Sequence, residues 1–230
     1  MTEVTANLDV VLERIRRAAE RYGRDPSGIT LIAVAKRHPA EAVRALARVG
    51  HRHIAESYAQ EAEEKLDALG DLPLCWHFIG RLQRNKTAAV AERFDWVHSV
   101  DRQVIADRLS AQRPHDGRPP LQVCLQVDFT GQDGRNGAPP EHLPALAEHV
   151  ASLPQLALRG LMTLPPPETS EERQREHFRH LHRLQRQLND AGHALDVLSA
   201  GMSGDLEAAI AEGATHVRIG TAIFGPRPAT

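Results

Sequence analysis

Alternation is the feature that most constrains this chain: eight short, apolar, β-like runs separated by longer helical patterns. The runs are ITLIAVA (29–35), RHIAE (52–56), CWHFIG (75–80), DWVHSV (95–100), LQVCLQV (121–127), LRGLMTL (158–164), DVLSA (196–200) and HVRIG (216–220). Several are continuous rather than alternating, as expected of parallel strands covered on both faces. Helical patterns fit 39–50, 57–70, 83–93, 101–112, 140–152, 170–192 and 203–213. Pro39 and Gly50 bracket the first of these, and Gly213 closes the last. A further helix over 5–22 precedes the first strand. Eight such units in 230 residues predict one domain, 1–230, folded as a single (β/α)₈ TIM barrel with an extra N-terminal helix. A doubly wound open sheet is the alternative, because a strand count does not prove closure.

Composition narrows the function classes. Hydrophobic residues at 41% and charged residues at 25% describe a globular chain, not a disordered one. A net charge of -2 argues against nucleic acid as a partner held on a basic face. Cys75 and Cys124 lie in apolar runs, which predicts buried free thiols and a reducing compartment. No apolar stretch approaches the roughly 18 residues that span a bilayer, so no membrane partner is expected. Glu3, Asp9 and Glu13 stand where a signal peptide carries a basic flank and an apolar run. A cytoplasmic protein is expected. The segments 113–120 and 164–170 read as loops, and no 20–50-residue period repeats.

P-loop, GxGxxG and HExxH motifs are absent. Gly201-Met202-Ser203-Gly204-Asp205 nearly matches a nucleophile elbow, but Asp205 replaces the last glycine and argues against a serine hydrolase. Among thirteen histidines, His51/His53 and His177/His180 come closest to ligand spacing. No Cys or carboxylate cluster accompanies them in sequence, so no metal site is expected.

Three residues carry chemistry. Lys36 follows the apolar run 29–35, and on a barrel strand it occupies the C-terminal end where such active sites are built. Partial desolvation favours the neutral amine of a lysine, which can form an imine with an aldehyde. A lysine snorkelling out at a strand end fits the position equally well. Only Lys36, Lys65 and Lys86 are lysines among 28 basic residues, and the last two fall in polar helical patterns that predict solvation. Ser199 to Ser203, small residues between strand seven and a helix, and Gly220-Thr221 after strand eight suit a phosphate. Ser203 could equally be an N-cap, and Asp205 and Glu207 would repel a phosphate unless turned away. Arg218 either points into the barrel mouth or forms an outward ion pair.

Ala33-Val34-Ala35-Lys36, Glu56-Ser57-Tyr58-Ala59-Gln60-Glu61 and the block Trp76 to Lys86 (WHFIGRLQRNK) resemble the pyridoxal phosphate homeostasis protein family. Gly160-Leu161-Met162-Thr163, Leu198 to Ser203 and Val217 to Gly225 match three further blocks in the same order. The resemblance implies a barrel like the N-terminal domain of alanine racemase, with pyridoxal 5′-phosphate (PLP) on Lys36. It further implies that Ser199, Ser203, Gly220 and Thr221 hold the phosphate and that Arg218 faces the pyridine nitrogen. Ser57, His77 and Met162 are implied as further cofactor-binding residues.

The chain departs from the family pattern at Ala35 for serine, Ala55 and Ser57 for the glycine and asparagine of Gly-Glu-Asn, and Ala200 for methionine. Asp128 and Arg135 replace an asparagine and a lysine. The function implied is a carrier that maintains intracellular vitamin B6 without substantial turnover and supplies PLP-dependent apoenzymes. An amino-acid racemase is the alternative, and an aldolase-type barrel is a third reading that lacks pre-bound cofactor. The racemases that the barrel resembles take a second base, a tyrosine, across a dimer with help from a second domain. The only tyrosines here are Tyr22 and Tyr58, and the sequence stops at Thr230 just past the eighth strand. A monomer without racemase activity is therefore expected.

Overall fold

The structure, a computed structural model, describes residues 2–132, 135–166 and 170–226. Its strands are β1 (Thr30–Val34), β2 (His53–Glu56), β3 (Cys75–Phe78), β4 (Trp96–Val100), β5 (Leu121–Val127), β6 (Leu156–Thr163), β7 (Val197–Ser199) and β8 (His216–Ile219). Each pairs in parallel with the next, and β8 returns to β1 in the register Thr30↔His216 to Ala33↔Ile219. The barrel is closed, as the alternation predicted, and the open-sheet alternative falls.

The helices are α1 (Glu3–Arg21), α2 (Ala40–Arg48), α3 (Ala59–Ala68), α4 (Thr87–Arg93), α5 (Gln103–Gln112), α6 (Leu143–Ala151), α7 (Glu171–Asp190), α8 (Leu206–Ala211) and α9 (Thr221–Phe224). In α1 the Thr2 side chain accepts from the Thr5 amide as an N-cap, and Leu8, Val11 and Ile15 recur at helical spacing on the buried face. Three helices start three or four residues later than the sequence reading places them. Residues 84–86 and 140–142 are 3₁₀ turns ahead of α4 and α6. Helix α8 begins at Leu206 rather than 203, because Met202 to Asp205 close a turn first, and Asp205 occupies the N-cap position. The four-residue α9 was not foreseen; four residues are too few to show a helical period. Residues 167–169 of the loop read at 164–170 lie outside the described residues.

Two apolar regions result from the period-two geometry of strands. Leu31, Ile54, Val97, Val123, Leu161 and Leu198 belong to one core cluster that also takes in the helices. A second, smaller cluster packs Trp96, Cys124, Met162 and Val197, with half-buried Cys75 against it. Cys124 is fully buried. Among the described residues no helix is long and apolar enough to cross a membrane.

Candidate cofactor site

Alternate residues of each strand form layers. Val34, Ser57, Ile79, Leu164 and Gly220 belong to the uppermost, beyond or at the carboxyl ends of β1, β2, β3, β6 and β8, and all line one cavity of about 420 Å³. Lys36, His38, Met202, Ser203, Gly204, Arg218 and Thr221 complete it. Of the residues singled out from sequence, Lys36, Ser57, Ser203, Arg218, Gly220 and Thr221 are thus brought together. Ser199, His77 and Met162 are not on the lining. Each sits two residues before a position at the top of its strand, one layer down, and each is fully buried. The Ser199 hydroxyl is held between His98 Nδ1 and Arg218, both at 2.8 Å. His77 stacks on Trp96, with centroids 5.6 Å apart, and Met162 packs in the inner apolar cluster.

Arg218 points inward, which resolves the choice left by its sequence. Its Nη1 donates to Ser199 Oγ at 2.8 Å and its Nη2 to the Thr163 carbonyl at 2.9 Å. Burial lowers its pKa to about 10 while the nearby Asp205 opposes the shift, so it stays charged at neutral pH. Lysine has the charge but not the planar fork. Arg218→Lys is expected to lose one of the two bonds, cost about 1–3 kcal/mol in urea unfolding, and shift the absorbance of any bound chromophore. Unchanged unfolding and an unchanged spectrum would contradict this placement.

The anion-binding side is built from the β7 and β8 loops. Gly201 has φ +94, and a Cβ there would lie 2.7 Å from the Ala209 Cβ. Only glycine suits that position. The backbone N–H groups of Ser203, Gly204 and Thr221 have no acceptor among the described residues. Asp205 is turned back to accept from the Met202 amide, and Glu207 pairs with Arg14 of α1 at 2.9 Å. The repulsion feared from their sequence positions is thereby reduced, since both carboxylates have other partners. Arg14 also donates to the Ser203 carbonyl, so α1 holds the loop from outside.

Lys36 is gripped at both of its peptide bonds. Lys65 Nζ donates to the Ala35 carbonyl at 2.7 Å, to Glu56 at 2.5 Å and to Glu61 at 2.8 Å. Glu61 also accepts from the Arg37 amide. Arg37 has φ 64, the single non-glycine residue with positive φ among those described. That conformation costs roughly 1 kcal/mol or more and persists only where the surroundings enforce it. Lys65 was expected to be solvated; it is 6% exposed. Its polar neighbours in sequence are the reason for the misreading, because two of its partners, Ala35 and Glu56, come from strand segments rather than from α3. Burial pushes the Glu56 carboxyl up to about 7, against the pull of Lys65. The Lys36 ammonium itself lies 5.7 Å from the centroid of the half-exposed Tyr58 ring.

Beneath the cavity a file of polar side chains crosses the barrel. From Arg218 and Ser199 it runs to His98, then to His77 at 2.9 Å, and on to His53 at 3.0 Å. Burial holds His77 and His98 well below the usual histidine pKa, lowers His53 as well, and takes nearby His216 to about 4. All are neutral at physiological pH. Sequence reasoning missed His98; counting by twos back from the residue at the top of β4 would have found it.

Comparison with known proteins agrees with this geometry. The alanine racemase N-terminal domain family matches residues 6–228. The pyridoxal phosphate homeostasis protein of Pseudomonas aeruginosa is 54% identical over 227 residues, covering 99% of this chain and 97% of that protein. The chain belongs to the pyridoxal phosphate homeostasis protein family. Its Escherichia coli K12 relative of the same name is 46% identical over 230 residues, with 99% and 98% covered. PipY of Synechococcus elongatus, solved with PLP bound, is 38% identical with a TM-score of 0.81, covering 92% of this chain and 99% of PipY. Alanine racemase of Clostridium difficile shares the fold at 17% identity and TM-score 0.72, with 95% of this chain matching 57% of the racemase. Members of the homeostasis family therefore share the barrel with racemases that are considerably longer.

Proposed function

We propose that this protein binds pyridoxal 5′-phosphate as an imine on Lys36 and keeps it available to apoenzymes, as a cytoplasmic monomer without substantial turnover. The observation that carries this reading is the convergence of Lys36, Arg218 and the free N–H groups of Ser203, Gly204 and Thr221 on one cavity. An aldehyde needs the amine, a phosphate needs the donors, and about 420 Å³ is the size of a small-ligand site. The residues present therefore fit the group. The names of the relatives and the PLP bound in PipY support the same assignment.

Bound PLP supplies a reversible aldehyde linkage and an electron-withdrawing ring. Arg218, which the family resemblance puts at the ring nitrogen, has no proton that it readily yields and would leave that nitrogen unprotonated, so the ring would withdraw electrons weakly. Racemisation also needs an acid or base on each face of the reacting carbon. Lys36 and His38 are the candidates on the lining, and the His38 ring is stacked on Phe224 with centroids 5.0 Å apart. No tyrosine or carboxylate lines the cavity among the described residues. The racemase alternative therefore receives less support than the carrier reading.

Loaded protein mixed with an apo PLP enzyme is expected to restore its activity, with a time course distinct from that of free cofactor. Deletion of the gene should disturb vitamin B6 pools. Undisturbed pools, or a turnover near ~10 s⁻¹ on any amino acid, would overturn the carrier reading.

A further inference from the structure

Opposite the cofactor cavity, near the amino ends of the strands, three metal-binding side chains meet. His53 on β2 and Cys75 on β3 are register partners, and His77 follows Cys75 on the same face of β3. His53 Nδ1 lies 3.0 Å from His77 Nε2, and Cys75 Sγ lies 3.5 Å from the same nitrogen. All three ligand atoms fall within 4.8 Å of one another. Zinc–nitrogen and zinc–sulfur bonds of about 2.0–2.3 Å place tetrahedral ligands roughly 3.3–3.8 Å apart. The two spacings to His77 Nε2 lie near this range and the third pair falls within 4.8 Å, so side-chain rotation at half-buried His53 and Cys75 brings the three around an ion. The sequence hid this site because no local spacing pairs His53 with a cysteine; strand register does.

We propose that His53, Cys75 and His77 form a binding site for a zinc-class divalent cation at this end of the barrel. Two imidazoles and one sulfur suit zinc, and three protein ligands leave a fourth position for water. On binding, the hydrated ion gives up three waters to form one sulfur–metal and two nitrogen–metal bonds, the Cys75 thiol proton leaves to solvent, and the proton shared between His53 Nδ1 and His77 Nε2 moves to the other nitrogen of its ring. A second shell is already in place, because His77 Nδ1 meets His98 Nε2 at 2.9 Å and His98 Nδ1 meets Ser199 at 2.8 Å. Metal at Nε2 selects the tautomer of His77 that donates along this file. Access exists as well: Cys75 and His53 are half-buried, and a surface cavity reaches Cys75 between Asp95 and Trp96. The inference does not depend on cofactor binding, since the site lies outside that cavity.

The test uses the purified full-length chain, stripped with a chelator and titrated with cobalt(II) as a spectroscopic substitute. Difference spectra are taken against the same sample before metal, so any bound chromophore cancels. One equivalent of cobalt should give a near-ultraviolet thiolate charge-transfer band with visible bands of tetrahedral intensity, and zinc should bleach both. Cys75→Ala should lose the charge-transfer band. His53→Ala, at a half-buried position, should weaken zinc binding at least about tenfold. Absence of the band in the native chain overturns the proposal, as does a band that survives in Cys75→Ala. Should Cys75→Ala fail to fold by circular dichroism, unaltered zinc affinity in His53→Ala overturns it instead.

Discussion

Lys36→Ala is expected to abolish the near-visible absorbance of bound PLP while leaving the barrel folded. The lysine side chain makes one described contact, with the Tyr58 ring, so its removal should change stability by less than about 1 kcal/mol. The covalent link proposed at Lys36, by contrast, would have no substitute. Lys65 reaches the Ala35 carbonyl beside Lys36, but its ammonium is buried and already donates to Ala35, Glu56 and Glu61. Borohydride reduction of loaded protein, followed by peptide mapping, should place the cofactor on Lys36 alone. A label on Lys65 or Lys86, or full absorbance in the alanine variant, would sink the assignment.

Lys65→Met should lower stability at neutral pH by about 1–3 kcal/mol, because the buried Glu56 carboxyl loses its counter-charge and must take up a proton while the Ala35 carbonyl loses its donor. One Glu56 oxygen already has no partner among the described residues, so nothing stands ready to compensate. Adding Glu56→Gln to Lys65→Met should recover much of the loss, and a double-mutant cycle measures how much. The pair also predicts a pH dependence. Burial raises the folded-state pKa of Glu56 from 4.5 to about 7, so the folded state binds more protons than the unfolded state between those values. Its contribution is full below the lower value and is lost as pH rises through the upper one. Urea unfolding from about pH 5 to about pH 8 should show this fall in the native chain and lose it in Glu56→Gln. In Lys65→Met the fall should move to higher pH. The same variant loosens both peptide bonds of Lys36, so its PLP affinity should drop; native stability and affinity together would refute the clamp.

Much of the architecture was legible because its signals are local. Apolar runs, helical periods and the breaks between them depend on residues a few positions apart, and parallel strands need such alternation to connect. Lys36, Gly220 and Thr221 could be placed for the same reason, each lying at the end of a recognisable strand. The family resemblance rested on contiguous blocks such as the one from Trp76 to Lys86 and carried the cofactor with it. Closure of the barrel, in contrast, depended on β8 meeting β1 across nearly the whole chain. Which residue lines the cavity depended on layers: His77 and Met162 sit in recognisable motifs, yet a step of two along a strand lowers each below the cavity. Lys65 looked solvated because a one-dimensional reading sees its helix neighbours and not the carbonyl of Ala35 or the carboxylate of Glu56. Likewise His53 and Cys75, 22 positions apart, become neighbours only through strand register. The sequence by itself determined the elements, their order and the position of Lys36 at the end of the first strand, since short-range patterning encodes these. Tertiary structure alone decided which charges are buried together and which ligands converge, because burial and distance are properties of elements after they pack.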